Sequence, residues 1–138
     1  MNAGTLVRAT VAATLALTLS ACGKGKVDEC NEFIGRANLS QAVLKTINIT
    51  GDAKQIEADA AKVDNEVEYV KNAAVKDEKL IKFRDDYAAN LAKMASTIRA
   101  LAKSQSPASM KQIHDDVDAI EKTESKLITE SNAYCGGR

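Results

Sequence analysis

The sequence predicts an all-α protein, and three observations carry that expectation. It is poor in turn formers, with one Pro and seven Gly in 138 residues, and rich in Ala, Leu, Glu and Lys, which lose little on entering a helix. Its apolar residues recur at spacings of three and four over long stretches, which aligns them on one face of a 3.6-residue helix. Capping and stopping residues fall between those stretches and divide them into four. With 45% hydrophobic and 28% charged residues, the chain has the profile of one globular domain with an appendage.

The first helix is expected from about Asp28 to Asn48, with Phe33, Ala37, Val43, Leu44 and Ile47 on one face and Ile34 and Leu39 at its margins. It should stop near Thr50-Gly51, where glycine can take the left-handed conformation that ends helices. The second begins near Asp52 and carries the most regular seam: Ile56, Ala60, Val63, Val67, Val70 and Ala74, at alternating intervals of four and three. The third, from about Asp77 to Lys103, aligns the bulkier Leu80, Phe83, Tyr87, Leu91, Met94, Ile98 and Leu101. The fourth opens with Ser106-Pro107, a capping residue before a proline whose missing N–H costs nothing at the first helical position. It continues through Met110, Ile113, Val117, Ile120, Leu127 and Tyr134. Lys54, Glu57, Lys62 and Glu66 are expected on solvated faces.

The stretch from Ala74 to Glu78 has neither glycine nor proline, and an unbroken helix there would give a three-helix hairpin instead. Four helices are preferred because Asp77 can cap a new helix with Glu78 in its first turn. The predicted fold is therefore a four-helix up-down-up-down bundle.

The N-terminal segment differs in kind from the rest. Arg8 is its one charge, and Ala9 to Leu19 form an apolar run of signal-peptide length, short of the roughly 20 residues that cross a bilayer. The run ends in Leu19-Ser20-Ala21-Cys22, which resembles the lipobox of bacterial lipoprotein signal peptides. That resemblance implies a Cys22 thiol alkylated by diacylglycerol, cleavage just before it, and a mature chain held to a membrane by acyl chains such as palmitate. The expected organisation is a removed signal peptide over 1–21, a lipidated flexible tether over 22–27 and a helical bundle domain over 28–138. The tether, Gly23-Lys24-Gly25-Lys26, keeps the domain near the bilayer, where its lysines either touch anionic headgroups or act as a solvated spacer. Residue 23 is Gly and not Asp, which under the familiar lipoprotein sorting rule looks like release to the outer membrane, on its periplasmic or surface side. Murein-linked lipoproteins are similar in anchor and helical content, but they use a C-terminal lysine and this chain ends Gly136-Gly137-Arg138.

Three cysteines in an exported chain need an explanation. If Cys22 carries lipid, Cys30 and Cys135 remain to form a disulfide. An even number of helices brings the start of the first and the end of the last to the same end of the bundle, whereas three helices would hold them beyond bonding range. The rival pairing, Cys22 with Cys30, would leave Cys135 free.

The remaining chemistry is sparse. The formal net charge is zero, and removing Arg8 with the signal leaves 18 basic against 19 acidic residues, which gives no reason to expect nucleic acid. His114 is the one histidine, too few for a ferritin-like di-metal site, and a haem held by His114 with Met94 or Met110 has little support from its acidic surroundings. Asp115, Asp116, Asp118, Glu121 and Glu124 share a helix but lack the tight loop of a calcium site, with Lys122 and Lys126 nearby, and read as a solvated face. Glu124 and Ser131 fall on the seam of the fourth helix, where either the seam frays or a polar group enters the bundle. No nucleophile has an evident base, and the triplets Asn38-Leu39-Ser40 and Asn48-Ile49-Thr50 read as chance in a bacterial chain. The expectation is a non-enzymatic protein without metal or cofactor. Its partners would be the lipid bilayer and an envelope protein, with a ligand-binding or chaperone-like bundle as the alternative. An uncovered apolar stripe would favour the first and an internal cavity the second.

Overall fold

The computed structural model describes residues 21–103 and 106–136, with side chains from residue 25 onward, and all their regular structure is α-helical. The expected signal peptide falls almost wholly outside the described residues, and so does the side chain of Cys22. Helix α1 spans Ala21–Leu44, α2 Ala53–Lys71, α3 Glu78–Lys103 and α4 Pro107–Gly136. They form the expected up-down-up-down bundle. Helix α3 packs against all three others, while α2 and α4 lie on opposite sides and do not meet.

The core follows the predicted seams. Phe33, Ile56, Val63, Val70, Leu80, Tyr87 and Leu91 are all fully buried. Phe33 stacks on Phe83 at 6.5 Å between ring centroids and meets the edge of Tyr87 at 6.3 Å, so α1 is keyed to α3 by aromatic contacts. Helix α1 buries Cys30, Phe33, Ala37 and Ser40, at spacings of three, four and three. Its seam thus contains a serine, whose hydroxyl donates to Glu66 Oε2 of α2 at 2.7 Å. Glu66 was expected on a solvated face and is half-buried for this reason.

Three boundaries differ from expectation. Helix α1 ends at Leu44 and not near Asn48, and Gly51 is not in the left-handed region. The next turn tightens, with Lys45 N–H bonded to Gln41 O and Thr46 N–H to Val43 O. The Asn48 N–H then donates to Asp59 Oδ2 of α2 at 2.9 Å. Asp59 is fully buried and also accepts from Lys62 Nζ at 2.6 Å and from Gln55 Nε2. The Lys62 ammonium foremost, with the Asn48 N–H, holds its carboxyl below the usual range. The α1–α2 connection is therefore shaped by a buried carboxylate, not by glycine.

The second difference is at the N-terminus, where residues 22–27 are helical and continuous with α1 instead of forming a flexible tether. The third lies between α2 and α3. Helix α2 stops at Lys71, Ala74 is exposed, and the buried residues of the connection are Ala73 and Val75. No glycine or proline breaks the helix here. Glu29 of α1 reaches across and accepts the N–H groups of Lys76 and Asp77, at 2.6 and 2.8 Å. Asp77 in turn accepts from the N–H groups of Lys79 and Leu80, capping α3 as expected, and from the Tyr134 hydroxyl of α4 at 2.8 Å. The backbone N–H groups lower the pKa of both Glu29 and Asp77.

Beside this network Cys30 and Cys135 are joined, with Cα atoms 5.8 Å apart. The ammonium groups of Lys26 and Lys79 stand over the Tyr134 ring, at 3.7 and 4.5 Å from its centroid. One end of the bundle thus binds the start of α1, the α2–α3 connection and the end of α4 into a single unit.

Two outcomes are expected. Replacing both Cys30 and Cys135 by serine should lower stability by about 4 kcal/mol on the chain-entropy argument, measured by urea unfolding against the oxidised protein. Glu29, Asp59 and Asp77 have folded pKa values below their unfolded ones, so their contribution is complete above about pH 5 and is lost as pH falls through the unfolded and then the folded values. Unfolding free energy should hold steady from neutral pH to about pH 5 and then fall, and Glu29→Gln should reduce that acid loss.

Candidate functional site

Toward the end of the bundle remote from the disulfide, α1 stops while α3 and α4 run on, and among the described residues nothing covers the apolar surface between them. The result is an open groove of about 460 Å³. Leu44, Lys45, Ile47 and Ile49 form one wall, Met94 and Ile98 of α3 the floor, and Val117, Glu121 and Glu124 of α4 the other wall. Ile49 is 51% exposed, and Leu44, Ile47, Met94 and Val117 are each half-buried. The sequence places most of these residues on seams. What it does not carry is that the first seam stops short, so the others lose their cover.

Glu124 is held at the inner edge of this groove. The Tyr87 hydroxyl donates to Glu124 Oε1 at 2.9 Å and approaches the carbonyl of Ala37 at 3.4 Å. Burial first, and the Glu124 carboxylate second, push the Tyr87 phenol well above its ordinary value, so it stays a donor. The seam does not fray at Glu124, nor at Ser131, which is 3% exposed and donates to the carbonyl of Ile128. A further polar contact that sequence reasoning missed joins Asn90 Nδ2 to the carbonyl of Ile120 at 3.0 Å, between α3 and α4.

The other sequence candidates are dispersed. His114 is exposed on α4 with Nδ1 3.4 Å from Asp118, Met110 is exposed on the same helix, and Met94 lies on α3 in the groove floor. Asp115 pairs with Lys111 and Asp116 accepts from Gln112, each one turn away. Among the described residues no three His, Cys, Asp or Glu side chains gather closely enough to hold a metal ion, and no helix is long and apolar enough to cross a membrane. A second cleft, about 980 Å³, runs between α3 and α4 beside Lys79, Lys82, Lys93 and Lys126. Asp86 pairs with Lys82 and Glu130 with Lys126, which offsets half of that charge.

These features define a disulfide-closed helical bundle with an open apolar groove beyond the end of α1. No protein family, curated protein or solved structure matches the chain.

Tyr87→Phe should leave Glu124 without its interior donor and lower stability by about 1 kcal/mol. Thermal unfolding of the variant beside the parent tests this, and an unchanged midpoint would remove the Tyr87 bond from the account of the site.

Proposed function

We propose that this chain is a lipid-anchored lipoprotein of the bacterial cell envelope whose bundle acts as a structural or protein-interaction module. The open apolar groove is the observation that carries the interaction reading, because apolar side chains left in water at one place are a docking surface and not a closed ligand chamber. The anchor rests on the lipobox-like Leu19-Ser20-Ala21-Cys22 and on the cysteine count: with Cys30 bound to Cys135, Cys22 is the thiol left over. The two features are set apart in space. Helix α1 is continuous from Ala21 to Leu44, so at about 1.5 Å per residue the groove lies some 35 Å along the helix from Cys22. A bilayer at Cys22 would leave the groove facing away from the lipid, toward other envelope proteins. Gly23 favours the outer membrane as the site of anchoring.

Expression in a bacterium with fractionation and intact-mass measurement tests this reading. The parent should partition with membranes at the mass of residues 22–138 plus diacylglycerol and acyl chains, and Cys22→Ser should appear in the soluble fraction, unacylated. A parent chain without acyl mass would overturn the anchor.

A further inference from the structure

We propose that the exposed apolar walls of the groove are covered by the same walls of a second copy of this chain, in a parallel two-fold dimer whose members stand on the same membrane. The proposal rests on the anchored reading above and names the partner that reading leaves open.

No segment of this sequence outside the described residues is placed to supply the occupant. In the anchored reading, on which this proposal rests, residues 1–21 are removed before Cys22, so the apolar run ending at Leu19 is no part of the mature chain. Residues 137–138 follow α4 at the disulfide end. Only the two residues 104–105 lie outside the description nearer the groove.

The charges on the rims point to the partner. Lys45 stands on the α1 wall and Glu121 on the α4 wall, and among the described residues neither has an ion-pair partner. They also stand level. Lys45, the residue after the end of α1, lies 15 residues after Cys30 and Glu121 lies 14 residues before Cys135, so at about 1.5 Å per residue the two stand about 21–23 Å from the shared disulfide.

A two-fold axis lying in the plane between two facing grooves, parallel to the helices, keeps heights and exchanges walls. The α1 wall of one copy then meets the α4 wall of the other. Each Lys45 faces the second copy's Glu121, twice over, while Leu44 and Ile47 of each copy close on the other's Val117 and the floor residues Met94 and Ile98 lie opposite their own counterparts, as an isologous interface requires. The alternative axis, across the helices, would set like wall on like wall. It would also point the two N-termini in opposite directions, which anchors in one bilayer forbid. Charge and anchoring therefore select the same axis.

Native mass spectrometry and sedimentation of the membrane-extracted protein in mild detergent provide the test. The parent should give a dimer with both copies acylated. Ile49→Asp, at an exposed position that leaves folding intact, should shift it to monomer with an unchanged helical circular dichroism. Lys45→Glu and Glu121→Lys should each weaken the dimer about tenfold, and the two together should restore it. The rescue is the deciding result, since a substitution that merely damaged the fold would not be repaired by a second. A parent that stays monomeric throughout the micromolar range, a dimer indifferent to these substitutions, or a monomer carrying a small apolar molecule displaced by Ile49→Asp would overturn the proposal. The acyl mass in the same spectrum reports the anchor separately: absent acylation with intact charge-swap rescue overturns the anchored reading and leaves the interface standing.

Discussion

The Glu29 carboxylate holds the architecture at its least obvious point. A chain with no glycine or proline between Val70 and Leu80 has a strong tendency to continue as one helix, and the bundle needs it to reverse. Two backbone N–H groups, of Lys76 and Asp77, would lose their partners in that reversal, and Glu29 supplies both from the neighbouring helix. Once they are held, Asp77 is free to cap α3 and to receive Tyr134 from α4. The disulfide lies next to this arrangement and fixes the two helices that contribute Glu29 and Tyr134. Four helices, and not three, are thus a consequence of one acidic side chain near the N-terminus meeting a segment 47 residues later.

The opposite end is organised by the same principle with less covalent help. Asp59 is buried and receives the Asn48 N–H, Lys62 and Gln55 together, so it sets the α1–α2 connection from within. Arg36 ties the middle, donating to the carbonyl of Tyr69 at 2.7 Å, to Glu32 at 2.6 Å, and lying over the Tyr69 ring. Arg99 of α3 does likewise, bonded to Glu57 and Asp64 of α2, which raise its already high pKa. The apolar seams give the helices their faces. The polar contacts of Glu29, Asp77 and Asp59 shape the connections, and those of Arg36 and Arg99 tie neighbouring helices along their length.

That division explains what was legible in the sequence. The seams of α2, α3 and α4 were readable because periodicity is local, and so were Asp77 and Ser106-Pro107, whose caps act within one turn of chain. The pairing of Cys30 with Cys135 was readable because helix parity constrains it. The early end of α1 and the burial of Asp59 and Ser40 were not, because each depends on a partner outside its own helix, and Glu124 was legible as a seam position while its partner Tyr87 was not. The groove escaped for a related reason. Most of its residues are ordinary seam residues, and what makes them a site is the absence of a neighbour among the described residues, which follows from α1 stopping at Leu44 while α4 runs for 30 residues.

The covalent link between Cys30 and Cys135 also changes what a cut in the chain would do. Residues 30 to 135 form a closed ring, and the 45–52 and 72–77 connections both lie inside it. A protease that severs either connection opens the ring without releasing a fragment, since each half remains tied through sulfur. Anything fastened at residue 22 would keep the whole bundle with it, and a nicked molecule would separate into pieces only in a reducing environment.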